Sequence, residues 1–265
     1  MPKRYEQIAS DLRRAITAGE LAPGEQLPTE DQLATQHRTA LGTVQAAKRL
    51  LEAEGLIETR QGKGSYVRPP RRQVRRTGER HQWEKDRVHL DEDERGKTGA
   101  VEYDTGGVFE DFAFPPAEYN PEPASEHLAA VFNVAPGTRL LHRRYMTRER
   151  AADAPVSLID SWLVWDRINA NPKLLDASNE PWPGGTQHQL STVGIELARV
   201  VEKFTARPPT PDEAAQLRIG PGVAVLQLRK TSIDTTGQVA EYSEVVMPGD
   251  RTVMEYTTTL ARWPT

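Results

Sequence analysis

The stretch that decides the fold of the first part of this chain is LIETRQGKGSYV, residues 56–67. It predicts two short strands joined by a tip that holds Gly62, Lys63 and Gly64. Two glycines let the backbone adopt conformations that other residues avoid, and they let it pass close to another surface. With the lysine between them, the tip is suited to approach a phosphate or the floor of a groove.

Three helical patterns precede this hairpin. Apolar residues recur at helical spacing over residues 4–18, 30–37 and 41–54, and Gly19 and Gly55 stop the first and third. Thr29 is the predicted N-cap of the second helix. Two short helices joined by a tight turn and followed by a hairpin predict a winged helix-turn-helix, in which the second helix of the pair reads the major groove of DNA.

The succession IASDLRRAI, PGEQLPTE, TVQAA and EGLIETRQGKGSYV resembles the GntR family of bacterial transcription regulators over residues 4–67. The resemblance implies that Thr43 contacts DNA and that the glycine tip, the wing, enters the minor groove. Relatives usually carry arginine at the positions of Leu41 and Gln45, and glycine at that of Arg38. Because leucine offers only apolar contact and glutamine prefers adenine, we expect a different operator sequence here. The predicted DNA-binding residues are Arg4, Thr29, Arg38, Thr39, Leu41, Thr43, Gln45, Lys48, Arg60, Gly62, Lys63 and Gly64.

Composition narrows the class of protein. Residues 1–80 hold 15 Lys and Arg against 10 Asp and Glu, whereas the remainder holds 19 against 28, so a basic front precedes an acidic back. The chain has no cysteine, which excludes disulfides and cysteine metal sites. It shows no signal-peptide pattern and no apolar run long enough to span a bilayer, so we expect a cytoplasmic protein.

A basic and charged linker is predicted over residues 69–104, between a DNA-binding domain at 1–68 and a second domain at 105–265. The stretch RPPRRQVRRTGER, residues 68–80, spans the first boundary and is rich in arginine and proline. These arginines suit contact with phosphate, and they equally suit a tether that charge keeps solvated. In relatives of the HutC subfamily, arginine here can also reach the ligand pocket.

The second domain has the pattern of an α+β fold with an antiparallel sheet. Strands are predicted over residues 138–146, 156–163, 224–233 and 238–247, and helices over about 123–132 and 211–217. A helix, a Pro-Gly pair and a hairpin occur twice, with Pro136 and Pro221 85 residues apart. This repeat predicts two halves of one sheet, with a pocket between or beside them.

This arrangement resembles the UTRA domain, a chorismate-lyase-like fold that follows the DNA-binding domain in HutC-type GntR regulators. The matching motifs are Arg148-x-Arg150 before Ala152-Asp153-x-Pro155, and Glu241-Tyr242-Ser243. The resemblance implies that the paired arginines hold an anionic group of an effector, although two arginines on a strand can also pair with acids on neighbouring strands. The predicted effector-binding residues are Arg148, Arg150, Asp160, Ser161, Glu241 and Ser243.

No pattern of the sequence indicates a metal site, a cofactor or a catalytic nucleophile, since the six histidines form no ligand pair. We therefore predict a dimeric transcription regulator that acts as a repressor. A small phosphate- or carboxylate-bearing molecule is expected to release it from a near-palindromic operator. Two alternatives stay open at this point. One is an enzyme of chorismate-lyase-like fold with an appended DNA-binding domain, and the other is a DNA-binding protein whose pocket is vestigial.

Overall fold

The computed structural model describes residues 3–69, 71–152, 154–220 and 222–263. The chain divides into two compact units. Unit 1 comprises Met1–Arg72 and Pro208–Ala224, and unit 2 comprises Gln73–Arg207 and Val225–Thr265. Within the described residues, no helix has the length and apolar character needed to cross a bilayer.

Groups of helices and groups of strands follow one another along the described residues. The α-helices are α1 (Arg4–Thr17), α2 (Glu30–Gln36), α3 (Leu41–Ala53), α4 (Glu79–Asp86), α5 (Glu92–Gly96), α6 (Ala100–Thr105), α7 (Glu126–Phe132), α8 (Trp165–Ile168), α9 (Gly185–Ser191) and α10 (Pro211–Leu217). The strands are β1 (Ile57–Arg60), β2 (Gly64–Val67), β3 (Val74–Thr77), β4 (Phe112–Ala113), β5 (Glu118–Pro123), β6 (Arg139–Glu149), β7 (Ala154–Val164), β8 (Leu197–Arg207), β9 (Val225–Asp234), β10 (Val239–Pro248) and β11 (Thr252–Glu255).

Unit 1 contains the winged helix-turn-helix, with α1–α3 followed by the antiparallel hairpin β1–β2. The predicted helices end within one residue of the observed ones, because their apolar stripes and caps are local signals. Thr29 caps α2, since its side chain accepts a hydrogen bond from the Gln32 N–H. The stripes meet in one core that includes Ile8 of α1, Leu33 of α2 and Val44 of α3.

The segment 208–224, which follows β8 and precedes β9, is also part of unit 1. Its Gly222 N–H donates to the Ala53 carbonyl, at the last residue of α3, over 3.0 Å. The carbonyls that end α10 accept bonds from arginines after the wing, with Arg71 Nη1 3.2 Å from the Leu217 oxygen and Arg68 Nη2 3.1 Å from the Arg218 oxygen. These bonds satisfy helix-end carbonyls that would otherwise lack a partner.

Unit 2 is built on an antiparallel sheet with strand order β4-β6-β7-β10-β9-β8, and β5 also pairs with β6. The four predicted strands are confirmed as β6, β7, β9 and β10. The hairpins β6–β7 and β9–β10 join through the pairing of β7 with β10, which confirms that the two repeats supply two halves of one sheet. The sequence interpretation missed β8, a strand at the edge of the sheet whose charged and mostly exposed residues lack a buried apolar face.

The predicted linker differs from the structure. The two units meet in sequence between Arg72 and Gln73, and most of the segment over 73–104 is folded into β3 and α4–α6 of unit 2. Strand β3 pairs in parallel with β11, near the other end of the chain. Composition indicated a linker because the segment is rich in charged residues. In the folded chain such residues pair with one another, as Asp104 of α6 does with Arg80 of α4 at 2.9 Å.

Candidate DNA-binding surface and effector cavity

Most of the predicted DNA-binding residues lie on α3, in the turn before it and on the hairpin, whereas Arg4 begins α1 and Thr29 caps α2. Arg38 has a left-handed backbone with φ 47°, which explains why glycine suits this position in relatives. Leu41 is the first residue of α3 and is 45% exposed, so its side chain is available for apolar contact. Thr39 and Thr43, both partly buried, flank it on either side of the helix start.

Two cations near this surface have partners inside unit 1. Arg4 donates to the Gln7 side chain over 3.1 Å and to the His37 carbonyl over 2.5 Å, which ties α1 to the turn before α3. Lys48 is held by the Glu30 carboxylate at 2.8 Å, and only 12% of its side chain is exposed. Lys48 is therefore poorly placed to reach a phosphate unless Glu30 releases it.

Side-chain hydrogen bonds hold the backbone of the wing tip in place. The Lys63 carbonyl accepts bonds from Gln26 Nε2 and from the Tyr66 hydroxyl, both over 2.9 Å. Gly62 and Gly64 have φ of 72° and 95°, which only glycine adopts without strain. The Lys63 side chain itself is exposed at the tip, and Arg60 lies over the Tyr66 ring at 4.5 Å. Contact of these residues with DNA stays a prediction.

A cavity of about 460 Å³ lies within unit 2. The sheet supplies Tyr145, Ile159, Lys230 and Glu241 to its lining, and α4, α6 and the start of α9 supply further residues. Its volume lies within the roughly 300–1,000 Å³ typical of small-molecule sites. The cavity therefore has the size of a pocket for a metabolite.

A row of polar side chains crosses the sheet at the level of this cavity. Reading from β8 to β6, Glu202, Lys230, Ser243, Ser161 and Arg143 are direct cross-strand partners. Directly paired residues share one face of a sheet, so these side chains all lie on the same face. Of the five, Lys230 lines the cavity. Beside it, Ser243, Ser161 and Arg143 are buried and Glu202 is partly buried.

Glu241 joins this row to the cavity. Its carboxylate lies 2.9 Å from Arg143 Nη2 and 2.9 Å from Lys230 Nζ, and it accepts a bond from the Ser161 hydroxyl over 2.8 Å. Burial alone would raise the pKa of Glu241, but the charges of Lys230 and Arg143 outweigh burial and hold the pKa at about 2. The carboxylate is thus ionised at neutral pH and is shared between two cations.

A second ionic cluster comes from β3, α4, α6 and β8. Arg76 lies 3.0 Å from Glu202, Arg80 lies 2.9 Å from Asp104, and His81 Nε2 lies 3.1 Å from Glu202. Burial would lower the pKa of His81, yet the carboxylates of Glu202 and Glu84 outweigh it and raise the pKa. The cavity lining thus holds cations and carboxylates that are already paired, and an incoming charged group must compete with these pairs.

Three of the six predicted effector-binding residues are brought together and three are not. Glu241 lines the cavity, and Ser161 and Ser243 lie in the polar row beside it. Asp160 follows on the other face of β7, where its carboxylate lies 2.7 Å from His142 and 3.2 Å from Arg144.

The arginine pair differs most from the expectation. Strand β6 ends at Glu149, so Arg150 lies beyond the strand, and a register shift between Thr147 and Arg148 interrupts the alternation of faces. Met146 and Thr147 line the cavity, whereas Arg148 and Arg150 are not among its lining residues. The structure therefore does not place both arginines on one face of a strand, and their contact with an effector stays a prediction.

The residues that sequence reasoning missed are Arg76, Arg80 and His81 on the presumed linker, and Tyr145 and Lys230 on the sheet. All five line the cavity. The signal for the first two was the arginine-rich run after Val67, whose possible reach into a pocket followed from the resemblance to HutC-type regulators. No local signal marked Tyr145 or Lys230, because their place depends on strand register.

Comparison with known proteins agrees with both parts of the fold. The model of the bacterial regulatory proteins of the gntR family matches residues 4–67, and the UTRA domain model matches residues 117–252. An HTH-type transcriptional regulator of Streptomyces coelicolor is 25% identical over 261 residues, covering 96% of this chain and 91% of its own. The HTH-type transcriptional repressor NagR of Bacillus subtilis is 26% identical over 256 residues, covering 93% of this chain and 91% of its own.

Among solved structures, a GntR-family transcriptional regulator matches with a TM-score of 0.59 and 22% identity, over 98% of both chains. That likeness supports the fold of each part. The matched relatives are regulators rather than enzymes. A GntR-type helix-turn-helix followed by a UTRA domain is the architecture of the HutC-like branch, and the chain belongs to the GntR family of transcription regulators as a member with a UTRA effector domain.

Proposed function

We propose that this regulator is a homodimeric repressor that works in the cytoplasm, where it binds a near-palindromic operator through α3 and the wing. A small molecule bearing a carboxylate or a phosphate fills the cavity of unit 2 and releases the protein from DNA. Two copies of one reading surface call for two matching half-sites, because protein symmetry is mirrored in the operator. Release requires only that the molecule bind one state of the protein better than the other.

The observation that carries this proposal is a cavity lined by buried and half-buried cations. Arg76, Arg80 and Lys230 each offer a guanidinium or ammonium group at the lining, and each is paired with a carboxylate. A ligand carboxylate or phosphate that takes over one of these cations displaces the carboxylate that held it. Such an exchange changes a contact between β3 and β8, between α4 and α6, or between β9 and β10, which is a physical route from ligand binding to a changed conformation.

The experiment is an operator shift assay with a metabolite panel. The operator is first selected from random double-stranded DNA by the full chain, and each metabolite is then tested for release. Tyr145→Phe removes one hydroxyl from the cavity and Lys230→Met removes one ammonium group, and both should keep DNA binding while weakening release. The double variant Arg148→Ala/Arg150→Ala tests the sequence-based assignment in the same assay.

Two results would contradict the proposal. If no metabolite alters operator binding, the cavity is vestigial. If a metabolite is instead consumed by the protein, the pocket catalyses a reaction. The dimer is checked separately by light scattering, where a mass twice the chain mass of 29.6 kDa is expected.

A further inference from the structure

Glu30, the first residue of α2, holds two side chains of α3 at once. Its Oε2 accepts a hydrogen bond from Gln45 Nε2 over 2.9 Å, and its Oε1 accepts one from Lys48 Nζ over 2.8 Å. The hydrogen bond from Lys48, followed by that from Gln45, lowers the pKa of Glu30, so the group is a carboxylate at neutral pH. Glu30 thus links α2 to the side chain that the sequence singled out for reading bases.

This contact fixes which way the Gln45 amide faces. An ionised carboxylate only accepts hydrogen bonds, so the NH₂ end of the amide must lie toward Glu30 and the carbonyl Oε1 must lie away from it. The NH₂ group has two hydrogens. We take the hydrogen anti to Oε1 as the one donated to Glu30, which leaves the hydrogen next to Oε1 available. The free edge of Gln45 is therefore one acceptor beside one donor.

An acceptor beside a donor matches adenine and mismatches guanine. In the major groove adenine offers its N6 amino group as a donor and N7 as an acceptor, whereas guanine offers two acceptors, O6 and N7. Against guanine, a rotated amide would use both of its hydrogens, and Glu30 already holds one. With the amide held, Oε1 would meet the guanine O6, and two acceptors repel each other.

We propose that Glu30 is a specificity-determining residue that imposes adenine over guanine by orienting Gln45, without touching the base itself. The inference rests on the proposed operator binding through α3. It explains how glutamine can select a base at a position where relatives carry arginine. The carboxylate restricts the orientation of an amide that could otherwise form hydrogen bonds with either purine. Glu30 acts here as a positioning residue for Gln45.

The test compares base preference rather than affinity. The operator is selected from random DNA with the full chain, and binding is then measured with each of the four base pairs at every operator position. Four variants are compared with the unmodified chain: Glu30→Ala, the near-isosteric Glu30→Gln, Gln45→Ala and Asp31→Ala. Asp31 is the matched control, because it is an exposed acid in the same first turn of α2 and its removal changes the local charge by the same amount.

We expect the unmodified chain to prefer adenine over guanine at one position of each half-site, and Gln45→Ala to lose that preference. Glu30→Ala should reduce the adenine-to-guanine ratio there by about fivefold or more, the scale of one good base contact, with a smaller drop for Glu30→Gln. Asp31→Ala should tighten or weaken binding equally for all sequences and leave the ratio unchanged. Circular dichroism of each variant confirms that α2 and α3 remain folded.

Three results overturn the inference while leaving the regulator function intact. These are an unchanged ratio in both Glu30 variants, an equal change in Asp31→Ala, which would indicate a general charge effect, or a preference that survives Gln45→Ala. A chain that selects no DNA sequence at all contradicts the proposed function itself, and the inference with it.

Discussion

The helices of the two copies of the helix–hairpin repeat have the same local backbone but belong to different units, whereas both hairpins lie in the sheet of unit 2. Ser125 and Thr210 both cap their helices with a side-chain oxygen, and Asn133 and Arg218 both end them in a left-handed conformation, with φ of 52° and 51°. Each of these pairs is 85 residues apart. Helix α7 nevertheless packs in the core of unit 2, whereas α10 belongs to unit 1.

The glycine of the repeated Pro-Gly pair shows how far the copies have diverged. Gly137 has φ of +83° and open space around it, so it is needed for its backbone conformation. Gly222 has no left-handed φ, but a Cβ built there would lie 2.5 Å from the Ala53 carbonyl oxygen. The same residue thus serves a turn in one copy and a close backbone approach to the end of α3 in the other.

The repeated sequence thus determines the local backbone geometry of each helix and turn, but it does not determine which segment the helix packs against. Caps and turns depend on a few neighbouring residues, so both copies keep them. What a helix packs against depends on residues far away in the chain. Substitutions at equivalent positions of the two copies should therefore lower the free energy of unfolding by similar amounts where the cause is local. They should differ in this effect where the cause is a distant packing partner.

The largest effects are expected at Phe132 and Leu217, which are equivalent and buried. Truncation to alanine should lower the free energy of unfolding by about 3–5 kcal/mol for Phe132 and about 2–5 kcal/mol for Leu217. All five tryptophans lie in unit 2. Urea unfolding followed by tryptophan fluorescence should therefore shift for Phe132→Ala, while Leu217→Ala shifts mainly the helical circular dichroism signal.

A fluorescence transition that moves equally in both variants would contradict the separation of the two helices. The matched control is Glu126→Ala, an exposed residue in the first turn of α7, which tests whether any change in α7 moves the fluorescence signal. We expect that variant to leave the transition near its original midpoint.

Gly222→Ala should have the next largest effect. The new methyl group collides with backbone, which cannot rotate away, and the Gly222–Ala53 hydrogen bond must lengthen or break. We expect a loss of about 2–3 kcal/mol, the upper range for overpacking. Hydrogen exchange followed by mass spectrometry should show faster exchange in residues 208–224, and unchanged protection there would show that the close approach is not needed.

The same division between local geometry and distant contacts separates what could be predicted from the sequence from what could not. Helices α1–α3, the wing and the four central strands of the sheet follow from spacing, caps and turns, which are local. The cavity does not, because Arg80 meets Asp104, and Lys230 meets Glu241, only after folding brings distant segments together. The placement of Arg148 and Arg150 has a related cause, since a register shift at Thr147 and Arg148 alters the faces of β6 and leaves no local pattern in the sequence.

Gly137→Ala isolates the conformational reason for glycine. Alanine pays about 1–2 kcal/mol to adopt a left-handed backbone, and nothing within 4 Å opposes its methyl group. Gly137→Asn should cost less, because asparagine tolerates that conformation better. The free energies of unfolding from urea curves give the comparison. At Gly222 the order should reverse, with asparagine worse than alanine, because there the obstacle is space.

The smallest and most equal effects are expected at the helix caps. Ser125→Ala and Thr210→Ala each remove the oxygen that accepts the backbone N–H three residues on, from Leu128 in α7 and from Glu213 in α10. Because this cause is local, the two losses should agree at about 1 kcal/mol despite the different surroundings of the helices. Circular dichroism at increasing urea measures both. A loss at one cap several times that at the other would mean that the surroundings control even the caps, and the separation of local geometry from packing partner would no longer hold for this repeat.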